Sequence, residues 1–321
     1  MQIISKQNIE YLLKGATLFG CGGGGSYKLA KDILKNIKLG KIKILEKEDI
    51  KNNARYSTAY LVGNLKSKIK KIRFADAWKK YSDFFGKSEG LIIGEVGAGV
   101  IAGNILLAKL SNIPLLDTDA GGGRCIPLIS TEIFEIYNGL TRLPLMVCSN
   151  NGNCRVINSA KNSEEIEQQI QHVLKEDGEG GTLYVVGYTN KGVMIKKYLY
   201  WGSLTKTIEV GKSLVKNKEI DDFNVIHTGK ISKVSLVSGK RLTIGQIEID
   251  KKYTIVVKNE NIVLKRGNDI VTKAPDIITL LDEKSKVGLI NSEIRKGQTV
   301  KILTSKAPEE WKNSYYLFEK L

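Results

Sequence analysis

Gly20-Cys21-Gly22-Gly23-Gly24-Gly25-Ser26 is the stretch from which the fold is read. Five glycines in seven positions survive in a folded chain where the backbone needs positive φ, or where another group approaches it closely. Ser26 is a favoured helix N-cap and predicts a helix over 27–39. The free N–H groups at that helix start, with those of Gly22, Gly23, Gly24 and Gly25, suit an anion or a polar heterocycle. Cys21 lies inside the loop, where a helix N-terminus would lower a thiol pKa. The plain alternative is a tight connection around a buried cysteine.

Outward from this loop, a short helix is expected over 8–14 and an extended piece over 16–19. Downstream, apolar runs predict strands over 41–45, 58–62, 90–94 and 113–116, with helices over 76–85 and 100–110. Further strands are expected at 145–148 and 156, a helix over 164–175, a strand over 183–187 and a helix over 204–215. Strand–helix alternation with glycine-rich turns after strands argues for an α/β layer, whose ligands gather outside the carboxyl ends of the strands. Beyond Asp222 short β-prone segments recur at 225–226, 230–237, 243–249, 253–257 and 262–265, separated by turn residues. The expected architecture is an α/β N-terminal domain with Gly-rich ligand loops over 1–165, plus a β-rich C-terminal domain over 166–321. The second begins with an α/β stretch that could pair with either half.

With 321 residues, 42% hydrophobic and 26% charged, the chain is long enough for two soluble domains. Its formal net charge of +16 is unusual, yet only eight of the 50 basic residues are Arg. Nucleic-acid readers lean on Arg, so lysine spread over solvated faces is the better account, with its densest cluster at 66–73. The apolar run 91–110 is broken by Glu95, Lys109 and four glycines and does not read as a membrane span. No signal peptide opens the sequence, so the expected compartment is the cytoplasm. Cys21, Cys125, Cys148 and Cys154 form no CxxC pair, which signals neither a zinc ribbon nor a disulfide framework.

Asp117 and Asp119 close a strand directly before Gly121, Gly122, Gly123 and Arg124. Side chains two apart on a strand share a face. Two such carboxylates can share a proton, bind a metal, or divide acid and base roles. Arg124 could grip a substrate carboxylate in bidentate fashion. Glu95 follows a buried strand and either reaches the same crevice or faces a helix dipole. Cys21, Cys125 and Asp119 could supply a sulfur–oxygen site for a divalent metal. His172 sits on a polar helix and His227 beside a β segment, neither next to a nucleophile motif, so a Ser–His–Asp triad is not indicated. Gly20, Gly22 and Gly25 satisfy GxGxxG, but the element before them is mostly helical, and no Walker A lysine follows, so no nucleotide is expected.

Taken in order, Leu18-Phe19-Gly20-Cys21-Gly22-Gly23-Gly24-Gly25-Ser26, then Gly94-Glu95-Val96-Gly97, then Asp117-Thr118-Asp119-Ala120-Gly121-Gly122-Gly123-Arg124 resemble the S-methyl thiohydantoin desulfurase family. Gly202-Ser203-Leu204-Thr205-Lys206-Thr207-Ile208-Glu209-Val210-Gly211, Val257-Lys258-Asn259-Glu260-Asn261 and Arg295-Lys296-Gly297-Gln298 extend the resemblance over nearly the whole chain. Cys21 stands where the family commonly has Thr, and Cys125 where it commonly has Ala.

The resemblance implies two domains and loss of sulfur from a cyclic thiohydantoin or S-methyl thiohydantoin. If that chemistry holds, the expected roles are Asp119 or Asp117 as base or metal ligand, and the amides from Gly22 to Gly25 as donors to the anionic ring oxygen or nitrogen. Arg124 becomes the binder of a side-chain carboxylate, and Cys21 a nucleophile or ligand. The expected partner is a small cyclic amide or thioamide, with a homo-oligomer left open. The competing expectation is a non-catalytic binder of small heterocycles, or a hydrolase of another cyclic amide.

Overall fold

The computed structural model describes residues 2–63, 71–127, 143–149, 151–176, 182–238, 242–311 and 314–319. The lysine-rich 66–73 segment lies mostly outside them. The first half of the chain runs β1 (Gln2–Ile4), α1 (Lys6–Phe19), α2 (Tyr27–Leu34), β2 (Ile42–Leu45), β3 (Arg55–Gly63), α3 (Lys71–Phe85), β4 (Leu91–Ile93), α4 (Ala98–Ser111) and β5 (Leu115–Asp119). It continues through β6 (Leu145–Ser149), β7 (Cys154–Ile157), α5 (Ser163–Glu176), β8 (Thr182–Lys191), α6 (Gly192–Tyr198) and α7 (Ser203–Val215).

These strands form one mixed sheet in the order β1-β2-β5-β4-β3-β8-β6-β7. The four strands β2, β5, β4 and β3 are mutually parallel, and antiparallel strands flank them on both sides. Alternate residues feed two cores. Leu91, Ile93, Leu115 and Met146 pack with α1, α2, α4 and α7 on one face, whereas Ile92, Leu116, Leu145 and Val147 pack with α5 on the other. That period of two is what a sheet covered on both faces requires. The α/β stretch after 165 joins this first sheet, because β8 pairs with both β3 and β6.

The remaining strands are β9 (Asn224–Ser238), β10 (Thr243–Ile249), β11 (Tyr253–Lys258), β12 (Glu260–Arg266), β13 (Asp269–Lys273), β14 (Ile277–Asp282) and β15 (Thr299–Ser305), followed by the short helix α8 (Tyr316–Glu319). They make an antiparallel sheet in the order β13-β12-β11-β10-β9-β15-β14 around its own core of Ile247, Ile255, Leu264, Leu280 and Ile302. The architecture is therefore two domains, a mixed α/β sheet and an antiparallel β-rich half-barrel. No helix among the described residues is long and apolar enough to cross a membrane.

Two local expectations change. Residues 16–19 are helical rather than extended, because Ala16, Leu18 and Phe19 continue the buried face of α1 up to Gly20. Cys148 and Cys154 are joined in a disulfide, although no framework was expected. The reason is register. Ser149 N–H donates to the Asn153 carbonyl at 2.8 Å, so the next facing pair, Cys148 and Cys154, is the close non-hydrogen-bonded kind, with Cα atoms 4.0 Å apart.

Candidate active site at the domain seam

The glycine loop is the place where the two domains meet. Ser26 caps α2 as expected, its hydroxyl accepting from Leu29 N–H at 3.1 Å. Gly24 has φ +68°, and its carbonyl accepts from Gly99 at 2.8 Å and Val100 at 3.3 Å, closing the start of α4. The groups that come close to the glycines are protein groups. A side chain on Gly23 would strike Glu260, one on Gly22 would strike Asn291, and one on Gly24 would strike Cys125 and Gly97. Backbone bonds fasten the seam: Asn261 N–H donates to Cys21 and Asn291 N–H to Gly22, both at 2.7 Å. Among the described residues, the N–H groups of Gly22, Gly24 and Gly25 have no hydrogen-bond acceptor, and Gly24 and Gly25 keep some solvent contact.

Cys21 follows the C-cap of α1 and is fully buried, its thiol donating to the Phe19 carbonyl at 3.4 Å. Burial pushes this thiol up, with Arg124 opposing. A lowered thiol, as expected for a helix N-terminus, is thus corrected: the nearest helix end is a C-terminus, and water is excluded.

The two aspartates of β5 do share a face, and both reach the start of α7. Asp117 accepts from Leu204 N–H at 2.8 Å, Thr205 N–H at 3.0 Å and the Thr205 hydroxyl at 2.6 Å, so both its oxygens serve as a helix cap supplied from a strand. Asp119 is fully buried and accepts from Gly123 N–H at 3.0 Å. Gly123 can present that N–H because it holds φ +85°. Burial pushes Asp119 up to about 7, opposed by the Gly123 and Gly121 amides and the Ser203 hydroxyl, with the Glu95 charge adding to the rise. Gly121 lies against Glu95 and Asp119, and Gly122 accepts from the Trp311 indole N–H at 2.9 Å.

Glu95 stands at the carboxyl end of β4 and keeps part of its surface open. It accepts from Ile126 N–H at 3.1 Å and from the Cys125 thiol, and burial still pushes it up to about 7. Cys125 itself is held well above the ordinary thiol range by burial and by Glu95. Arg124 is buried and points at the second domain. Its Nε donates to the Cys125 carbonyl at 2.9 Å, its Nη1 to Pro275 at 2.8 Å and Asp276 at 3.1 Å, and its plane lies over Phe318. Only Nη2 is left without a partner among the described residues.

One carboxyl was given no role in the sequence reading. Glu260 begins β12, is 2% exposed, and is fixed through Oε1 by the Asn259 amide at 3.0 Å while Oε2 is unpartnered among the described residues. Burial, with the Glu95 charge adding to it, raises this carboxyl well above its ordinary value. A lone Glu opening a β run carries no local signal; its position within the motif 257–261 was the available clue.

A narrow recess beside Asp119 is lined by Phe19, Gly123, Tyr200, Ser203, Lys306 and Pro308 from both domains. Burial and the Asp119 charge push the Tyr200 phenol there to about 12, so it is a hydrogen-bond donor throughout the physiological range. A larger cavity of about 680 Å3, lined by Leu214, Phe223, Leu281 and Leu303, holds none of these carboxyls. As for a metal, no group of three or more His, Cys, Asp and Glu side chains among the described residues could hold one. Cys21, Cys125 and Asp119 do not assemble into the sulfur–oxygen set expected for them, since each turns to the backbone or carboxyl partner just described.

Two domains meeting over a buried group of carboxyls, at the carboxyl ends of parallel strands, define a class of two-domain proteins built from a mixed α/β sheet and an antiparallel β-rich half-barrel. The chain belongs to the S-Me-THD-like family, that of the S-methyl thiohydantoin desulfurases: the model for the N-terminal domain matches residues 7–159 and that for the C-terminal domain residues 161–317. No curated protein matches it. The X-ray crystal structure of a protein from Chromobacterium violaceum shares the fold, with a TM-score of 0.82 at 17% identity over 100% of this chain and 95% of that one.

Proposed function

We propose that the protein is a hydrolytic desulfurase acting on a cyclic thiohydantoin or S-methyl thiohydantoin. The observation that carries this reading is that Glu95 and Asp119 both lie against Gly121 at the seam and are both raised to about 7, chiefly by burial, with the Glu95 charge adding to the rise at Asp119. Two carboxyls held near neutrality can divide the work, one acting ionised while the other holds a proton. The ionised carboxylate takes a proton from water as its oxygen adds to the ring carbon bearing sulfur. The carbon–sulfur bond breaks, and the protonated partner delivers its proton to the leaving sulfur. Water supplies the oxygen and two protons, one ending on ring nitrogen and one on sulfur, which leaves methanethiol and a hydantoin-type amide.

The amides of Gly22, Gly24 and Gly25 stabilise the charge that develops on the ring. Arg124 offers a single donor, Nη2, to an anionic substituent rather than a bidentate grip. Asp119 is assigned to the pair in preference to Asp117, whose oxygens cap α7.

The test is release of methanethiol or sulfide from a panel of S-methyl thiohydantoins and thiohydantoins, measured for the native protein and Asp119→Asn. Release that falls by roughly 100-fold or more in the variant supports the reading. Release that is unchanged in Asp119→Asn removes the residue from the chemistry. Tight binding without release would favour a non-catalytic binder of small heterocycles.

A further inference from the structure

The disulfide lies far along the sheet from the carboxyls, at the edge hairpin of β6 and β7. Its two sulfurs differ in access. Cys148, on the inner strand β6, is 2% exposed, whereas Cys154, on the edge strand β7, is partly open. A cavity of about 350 Å3 runs along the hairpin and is lined by both cysteines together with Lys79, Lys80, Asp83 and Gly152. Lys80 reaches the turn itself, its Nζ donating to the Gly152 carbonyl at 3.1 Å. The space suits a molecule the size of a free amino acid, and Lys79 and Lys80 are matched in its lining by Asp76 and Asp83, a mixed charge that suits a zwitterionic amino-acid thiol. Cys21 and Cys125 have no comparable opening, since both are fully buried.

We propose that Cys148 and Cys154 form a thiol–disulfide exchange site that reacts with small-molecule thiols at the Cys154 sulfur. The incoming thiolate attacks that sulfur, the Cys148–Cys154 bond breaks, and Cys148 departs as a thiolate that takes a proton. Cys154 then carries the small molecule in a mixed disulfide. A second thiolate attacks the small-molecule sulfur, releasing Cys154 as a thiol and a small symmetrical disulfide. Two thiols are oxidised, and the protein disulfide gains their two electrons. The direction of attack follows from access to the sulfur, and the inner strand keeps Cys148 as the leaving thiol. Exchange of this kind is independent of the chemistry at Glu95 and Asp119.

The experiment uses the full chain purified in air and L-cysteine as the probe. Denaturation in iodoacetamide without reductant is expected to alkylate only Cys21 and Cys125, and prior reduction should add Cys148 and Cys154. Native protein exposed to L-cysteine and then quenched is expected to carry the cysteinyl group on Cys154, in excess over Cys148 by roughly tenfold or more. Both cysteines fall in the tryptic peptide 143–155, so fragment spectra assign the position. With L-cystine as the probe, Cys148→Ser should be cysteinylated at Cys154 in the native state, the Cys154 thiolate attacking cystine and releasing one cysteine, while Cys154→Ser should leave Cys148 unmodified. Four alkylated thiols before reduction would overturn the proposal. So would equal or faster labelling of Cys148, or exchange that occurs only after unfolding.

Discussion

Asp119 shows how one residue links stability to the chemistry. Its carboxyl is raised from its ordinary value to about 7 by burial, so folding disfavours its ionised form. The stability it contributes is complete below about pH 4 and is lost as pH rises through about 7. Asp119→Asn mimics the neutral carboxyl, so at pH 8 the variant is expected to be more stable than the native protein, by on the order of 4 kcal/mol. At pH 4 the two should coincide, and urea midpoints at the two pH values check this. Turnover should move the opposite way, falling sharply in the same variant. The position of Asp119 at a strand end before three glycines was legible in the sequence, because strand periodicity and turn residues are local. The partners of Arg124 were not, since the carbonyls of Pro275 and Asp276 lie some 150 residues downstream and any residue can offer a carbonyl.

Elements were legible where the signal is local and ambiguous where it is not. Ser26 announced α2, and the alternation of apolar runs marked β2, β4 and α4. Residues 16–19 were misread because a four-residue apolar run has no period to tell a strand from the last turn of a helix. The start of α7 makes a test at this scale. Asp117 caps it from β5, so Asp117→Ala is expected to cost about 2 kcal/mol in urea denaturation, the upper part of the range for a lost helix cap. The glycine loop makes another. Gly23→Ala would press its methyl group into Glu260 and is expected to destabilise the fold by about 1–3 kcal/mol. Glu260→Ala opens that space, so the double variant should recover part of the loss, and a thermodynamic cycle measures the coupling.

At the scale of the whole molecule, the proposed site lies where two sheets meet. The α/β sheet supplies Glu95 and Asp119, and the half-barrel supplies Glu260, whose buried carboxyl sits against Gly23. Two-domain organisation could be read from the change in texture after Asp222. The assembly of the seam could not, since it depends on pairings between residues such as Cys21 and Asn261 that carry no mutual signal in the chain. With Glu95 and Asp119 both raised to about 7, the proposed division into one ionised and one protonated carboxyl predicts a turnover maximum near pH 7. The most direct measurement is therefore methanethiol release from an S-methyl thiohydantoin between pH 5 and 9, for the native protein and Glu95→Gln. The account predicts a bell centred near pH 7 for the native protein, and a loss of roughly 100-fold with the bell abolished in the variant. Release that is flat across this range, or that survives intact in Glu95→Gln, would contradict it.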